Sequence, residues 1–167
     1  MSNKKPVIAE IIDNLRRVFH VVHEKSKKAK RETGLTGPQL WAIKVIAEES
    51  SITISDLARR MYLHPATVVG IVNRLESLEL VKRNRISNDR RIVHVALTPE
   101  GSKIPKQSPE VAQGLLVSGL EPLSLKRLKE ILGGLEELVR ILRAQEMPPQ
   151  LILSPEKNIP GKDDGNS

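Results

Sequence analysis

Along residues 6–31 the apolar positions Ile8, Ile11, Ile12, Leu15, Val18, Phe19 and Val22 recur at intervals of three and four. That spacing lays them along one face of a long helix. Its end is basic, with Lys25, Lys27, Lys28, Lys30 and Arg31 placed where cations suit a helix C-terminus, and Gly34 closes it. A second helix is predicted from Thr36. Threonine serves as N-cap, Pro38 lies in the first turn and Gln39 stands at the capping-box position, ahead of an inner face of Leu40, Ile43, Ile46 and Ala47. The same punctuation returns at Thr53, with Asp56 three residues on, and Ile54, Leu57, Ala58 and Met61 line one side. Pro65 then opens a helix to about Leu78, whose narrow apolar stripe is Val68, Ile71, Val72, Leu75 and Leu78. Beyond "LVKRNR" and a Ser-Asn turn, Val93, Val95 and Leu97 alternate with Ile92, His94 and Ala96, the period of a strand.

Thr98 and Pro99 cap a further predicted helix near 99–118, which Pro105 and Pro109 should kink or break. Ser124 caps a last helix, 125–144. There Leu125, Leu128, Leu132, Leu135, Val139 and Leu142 follow one another at helical steps, and Ile131, Leu138 and Ile141 widen the face. Gly133-Gly134 lies inside this pattern and implies a bend or a close contact. The remaining residues hold four of the eleven prolines and end in Gly, Asn and Ser, the composition of a mobile tail. There is no internal repeat. The expected fold is mainly α with a small β-hairpin, a winged helix-turn-helix between long N- and C-terminal helices. The expected organisation is an N-terminal helix over 1–34, the winged domain over 35–101, C-terminal helices over 102–144 and the tail over 145–167. Two long helices with broad apolar faces at opposite chain ends exceed what a small winged domain needs, so both are expected to serve a homodimer.

Charge narrows the partner. The chain carries 27 Lys and Arg against 20 acids, a net charge of +7. Residues 145–167 contribute two lysines and four acids, so residues 1–144 stand at +9. A polyanion is the natural partner of such a body, although solubility alone could account for the charge. Aromatic residues make up only 2%, with Phe19, Trp41 and Tyr62 the only rings of Phe, Trp or Tyr, too few to stack successive bases of a single strand. The absence of cysteine excludes disulfides, thiolate-bound zinc and thiol redox sensing. No stretch approaches 18 apolar residues and the N-terminus has no apolar signal core, so the chain is expected in the cytoplasm.

Two helices joined by a short turn and followed by a strand-turn-strand form a device for reading duplex DNA. The second helix can enter a major groove. On its outward side lie Ala66, Val69, Gly70, Asn73 and Ser77, with Thr67 and Arg74 on the flanks. Asn73 can pair with a base edge, and Arg74 can reach guanine or phosphate. Gly70 has two readings of equal weight, close backbone approach to DNA and a tolerated surface glycine. The hairpin carries Lys82, Arg83, Arg85, Arg90 and Arg91 against the single acid Asp89. A turn needs Ser87 and Asn88 but not adjacent arginines. Arginines at a hairpin tip suit a minor groove, and Asp89 suits the role of holding one of them in aim by a charge-assisted pair.

The stretches "LTGPQLWAI", "TISDLARRM", "PATVVGIVNRLESLELVKR" and "DRRIVHVALTPEG" resemble the MarR family of bacterial transcription regulators over residues 35–101. The most specific part is Asp89-Arg90-Arg91 followed by Leu97-Thr98-Pro99-Glu100-Gly101. The resemblance implies a homodimer on a pseudo-palindromic operator, a repressor relieved by a small-molecule effector, with Arg91 entering the minor groove and Asp89 holding it. By this reading the DNA-binding residues are Thr67, Val69, Gly70, Asn73, Arg74, Arg83, Arg85, Asp89, Arg90 and Arg91. Two departures stand out. Val69-Gly70 replaces the Thr-Arg frequent in the family, leaving Val69 to meet a thymine methyl group. Glu79 replaces the turn glycine, so an altered helix end is expected.

Trp41 lies where the resemblance puts a ligand cavity, with plain core as the rival reading, and His20 is the other candidate ligand-binding residue. His20 and His23, three apart, could share a metal, but no further ligand is identifiable from spacing, and neither metal nor cofactor is assigned. No phosphate-cradling glycine loop, His-Glu-x-x-His or nucleophile elbow is present, so no enzymatic activity is expected. The alternative to an operator-binding regulator is a winged-helix protein-interaction module, which Val69-Gly70 favours and the Asp-Arg-Arg wing disfavours.

Overall fold

The computed structural model describes residues 3–84, 92–152, 154 and 158. Helix α1 spans Lys4–Thr33, and Gly34 ends it in the left-handed region at φ 74°, donating its N–H to the Lys30 carbonyl. Helix α2, Gly37–Ala47, starts after Thr36, whose N–H donates to the Gln39 side chain at 3.1 Å. A two-residue strand β1, Ile52–Thr53, leads into α3, Ile54–Met61. Thr53 caps α3 by accepting from the Asp56 N–H. Helix α4 is Pro65–Ser77, and strands β2, Val81–Asn84, and β3, His94–Leu97, pair antiparallel with Val81 opposite Leu97 and Asn84 opposite His94.

The core lies where these elements converge. Leu40, Ile43 and Ile46 of α2 meet Leu57 and Met61 of α3, Val68, Ile71, Val72 and Leu75 of α4, and Val81 and Val95 from the strands. At typical transfer free energies each fully buried aliphatic side chain contributes about 1.5–3 kcal/mol, which is why three short helices suffice to hold the sheet.

Several expectations are corrected. The sheet has three strands in the order β1-β3-β2, because Ile52 pairs with Val95 and Thr53 with His94. Two residues are too short to show a strand period. The helix expected over 99–118 is divided into a 3-10 turn at Gly101–Lys103, α5 at Ile104–Gln107 and α6 at Ala112–Leu120. Pro105 is tolerated in the first turn of α5, whereas Ser108, which precedes Pro109, is extended at ψ 149°. Leu78 is exposed instead of closing the buried stripe, because α4 ends at Ser77 and Leu78 is its C-cap. The last helix, α7, spans Leu125–Ile141 and ends earlier than 144. Residues expected to be a mobile tail are docked where they are described. Leu151 packs against the core, Ser154 is buried and the Asn158 side chain accepts from the His64 N–H at 2.9 Å.

Candidate nucleic-acid interface

Helix α4 divides sharply between its two sides. Val68, Ile71, Val72 and Leu75 are sealed in the core, while Ala66, Val69, Gly70, Asn73, Arg74 and Ser77 are exposed. Thr67 departs from the outward set. It is 7% exposed, and its hydroxyl lies 3.5 Å from the Asn158 side chain. The wheel put it on a flank, and the docked C-terminal residues cover that flank.

The far end of α4 is tied to the sheet in two ways. Glu79 adopts φ 58°, the left-handed turn normally given to glycine, and the chain reverses through Leu80 N–H to Leu75 C=O at 3.0 Å and Glu79 N–H to Glu76 C=O at 2.9 Å. This paired closure is a Schellman cap, so the glycine replacement keeps the motif and pays only local backbone strain. Thr98 grips the cap from outside. Its hydroxyl donates to the Glu79 carbonyl at 2.7 Å and accepts from the Gly101 N–H at 3.0 Å, and its own N–H donates to the Leu80 carbonyl at 3.1 Å. A Cβ on Gly101 would fall 1.9 Å from the Leu80 carbonyl oxygen, so only glycine lets the two segments approach. The second tie is Arg83 of β2, which pairs with Glu76 and donates to the Asn73 side-chain oxygen. Arg83 was expected to face DNA directly. Here its charge is matched by a carboxylate on the helix.

Arg85, Asp89, Arg90 and Arg91 lie outside the described residues. Strand β2, which ends at Asn84, packs against α4.

At the opposite side, α3 is braced to its neighbours. Arg60 pairs with Glu48 and Glu49 at the end of α2. Tyr62, at φ 54° in the turn between α3 and α4, donates its hydroxyl to Glu121 at 3.1 Å, just beyond α6. That hydrogen bond and the Glu121 charge hold the phenol above its ordinary pKa. Trp41 is buried at 8% exposure and borders a cavity of about 280 Å³ with Glu48, Arg60, Gly114, Ser118 and Glu121. It is thus both core and cavity wall. His20 is exposed on α1, and with Phe19, His23 and Ile152 it borders a separate shallow hollow, so the structure does not bring His20 and Trp41 to one site. Among the described residues, no three His, Asp or Glu side chains are grouped to hold a metal ion.

Residues 35–93 match the model of the MarR family. Over that stretch the chain is similar to the MarR family. It is similar to an uncharacterized HTH-type transcriptional regulator, YsmB, of Bacillus subtilis (strain 168), with 31% identity over 97 residues, covering 58% of this chain and 66% of that protein. It is also similar to the HTH-type transcriptional repressor MdtR of the same organism, with 27% identity over 101 residues, covering 60% and 65%. The chain therefore spans just under two thirds of the length of each. The fold is shared with a Streptococcus pneumoniae FabT crystal structure in complex with DNA, at TM-score 0.54 and 22% identity, over 81% of this chain and 97% of that one.

The sequence pattern located the exposed helix face and the two strands. It did not reveal Glu76, Thr98 or Gly101 as the parts that fix one against the other. Thr98 and Gly101 stood within the quoted motif, and their spacing of three is the available signal, since a threonine hydroxyl reaches the N–H three residues on.

Proposed function

We propose that the chain is a homodimeric, sequence-specific regulator of transcription that binds double-stranded DNA, acts as a repressor and is released by a small-molecule effector. The observation that carries this reading is the exposed outward face of α4, with Asn73 and Arg74 free of the core and a pair of antiparallel strands tied to it through Arg83. A helix so presented fits the major groove, and Arg91, aimed by Asp89, would reach the neighbouring minor groove. Arg85 and Arg90 add phosphate contacts, and Val69 and Gly70 face the bases. The repressor assigned to MdtR by name and the DNA in the FabT structure support the reading. Catalysis has no place in it.

Pairing of two chains is supported by α1 and α7. Ile8, Ile11 and Phe19 on α1 and Leu132, Leu135 and Ile141 on α7 are all exposed in the single chain. Twofold symmetry would place two α4 helices about one DNA turn, ~34 Å, apart. The cavity beside Trp41 supports an effector site, because it lies between the winged domain and α6. The helices among the described residues include none long and apolar enough to cross a membrane, which is consistent with action on cytoplasmic DNA.

Selection of genomic fragments by the purified protein, followed by sequencing, tests the function. The expected result is a pseudo-palindromic sequence. On that operator Arg91→Ala should weaken binding by about 1–3 kcal/mol per half-site contact. Asp89→Ala should weaken it too, although the loss of an acid near phosphate would strengthen binding on charge alone. Failure to enrich any sequence would remove the regulator reading in favour of a protein-interaction module.

A further inference from the structure

We propose that Arg83 is a positioning residue that fixes the polarity of the Asn73 amide, so that Asn73 meets the major groove as a hydrogen-bond donor and prefers guanine or thymine to adenine. The inference rests on the reading that α4 enters a major groove.

A guanidinium only donates hydrogen bonds. The atom of Asn73 that faces Arg83 is therefore its oxygen, and the chemistry leaves no choice between the two ends of the amide. The contact is 2.5 Å from Arg83 Nη2 to Asn73 Oδ1. The other terminal nitrogen of Arg83 is held by the Glu76 carboxylate, one helical turn from Asn73. The guanidinium is thus clamped between β2 and α4 at two of its corners. Its side chain is only 29% exposed, which limits its freedom to swing away. Asn73 itself stays exposed on the outward face, in line with Val69, Gly70 and Ser77.

A free asparagine can rotate its amide to match whichever edge it meets. Its usual partner is adenine, where the oxygen accepts from N6 while the nitrogen donates to N7. With Oδ1 already accepting from a cation, the capacity left to Asn73 is mainly its two N–H groups. Guanine presents two acceptors, N7 and O6, and thymine presents O4. Cytosine offers only a donor and is disfavoured. The Glu76 carboxylate matches the Arg83 charge, so Arg83 acts through Asn73 and is not a separate phosphate contact.

The test uses the full chain and a randomised duplex library, with sequence preference read at each operator position. In the wild type, one position per half-site should favour guanine or thymine over adenine on the order of tenfold, the scale of one good base contact. Asn73→Ala should flatten that position and identify it. Arg83→Met, which keeps the stem and removes the donors, should reduce the preference there to about twofold and let adenine recover, with the other positions unchanged. Asn73→Asp, an acceptor only, should turn the same position toward cytosine. The salt dependence of wild type and Arg83→Met should be the same, whereas loss of a phosphate contact would lower the slope by about one. Adenine favoured at the Asn73-dependent position would overturn the proposal. So would an Arg83→Met variant that keeps the base preference and loses salt dependence, or one that relaxes every position alike. An operator with no Asn73-dependent position would defeat this inference alone, whereas no enriched sequence at all would defeat the DNA-binding reading beneath it.

Discussion

Helices α2 and α7 are both written with leucine and isoleucine at helical intervals, yet nine of the eleven residues of α2 are buried and none of the seventeen of α7 is. Helix α1 resembles α7, with Ala29 its one buried residue. The difference shows that an apolar stripe announces burial without naming what supplies it. For α2 the cover is α3, α4 and the sheet of the same chain. For α1 and α7 the chain offers little cover, and contiguous apolar surface of this kind marks an interaction face.

The largest expected effect comes from placing charge on the second kind of helix. Leu132→Asp with Leu135→Asp should leave the helical circular dichroism intact while light scattering falls from twice the chain mass to the single chain mass. Operator affinity should then drop by roughly 100-fold or more, because the two half-sites are no longer linked. Ile43→Asp on α2 should instead unfold the chain, since it puts an unpaired charge in the core. A double α7 variant that stays dimeric, or that unfolds as Ile43→Asp does, would erase the distinction between the two regions.

Glycines sharpen the same contrast. Gly101→Ala should cost on the order of 1–3 kcal/mol in urea or thermal unfolding, because the new methyl group meets the Leu80 carbonyl and the segments must part. In α7 a Cβ on Gly133 or Gly134 meets nothing within 4 Å among the described residues. The sequence suggested a bend or close contact there, and no such contact is made among the described residues. Gly134→Ala should therefore leave the isolated fold intact, and any loss should appear only as weaker dimerisation by sedimentation or light scattering. Equal destabilisation of the single chain by both substitutions would break the comparison.

How far the sequence could be followed tracks how local the determinant is. The starts of α2, α3 and α4 were legible because Thr36 with Gln39, Thr53 with Asp56, and Pro65 each act within one turn. The outward set on α4 followed from periodicity alone. What was hidden depends on contacts distant in the chain. The Asn158 cap on the His64 N–H spans 94 residues, the pairing of Ile52 with Val95 crosses 43, and the Arg83 bridge joins two elements whose angle no pattern states. The burial of Thr67 was hidden for the same reason, since its cover comes from the C-terminal segment.

That segment supplies the next prediction. Truncation after Met147 removes the half-buried Leu151, the buried Ser154 and the Asn158 contact. The loss should be about 1–2 kcal/mol, given partial burial of one leucine and one hydrogen bond. For a chain of this size that is a fall of several degrees in melting temperature. An unchanged melting curve would return these residues to the status of a dispensable tail.

The smallest effect belongs to Gly70, where stability and function are expected to move in opposite directions. It occupies the interior of α4, and a Cβ built on it meets nothing within 4 Å among the described residues. Alanine there should raise the stability of the free protein by about 0.5–1 kcal/mol, since glycine loses more backbone freedom on entering a helix. If Gly70 is a tolerated surface residue, operator binding should be untouched. If α4 lies close in the groove, the methyl group occupies space the DNA needs, and binding should weaken while the fold strengthens. The second outcome is expected, because Gly70 sits among Val69 and Asn73 at the middle of the outward face, where the approach is nearest. Thermal unfolding and fluorescence anisotropy on the selected operator, run on the same preparation, separate the two. A stabilised Gly70→Ala variant with full affinity would show that this face keeps its distance from the bases, and that Val69-Gly70 replaces a base contact with none.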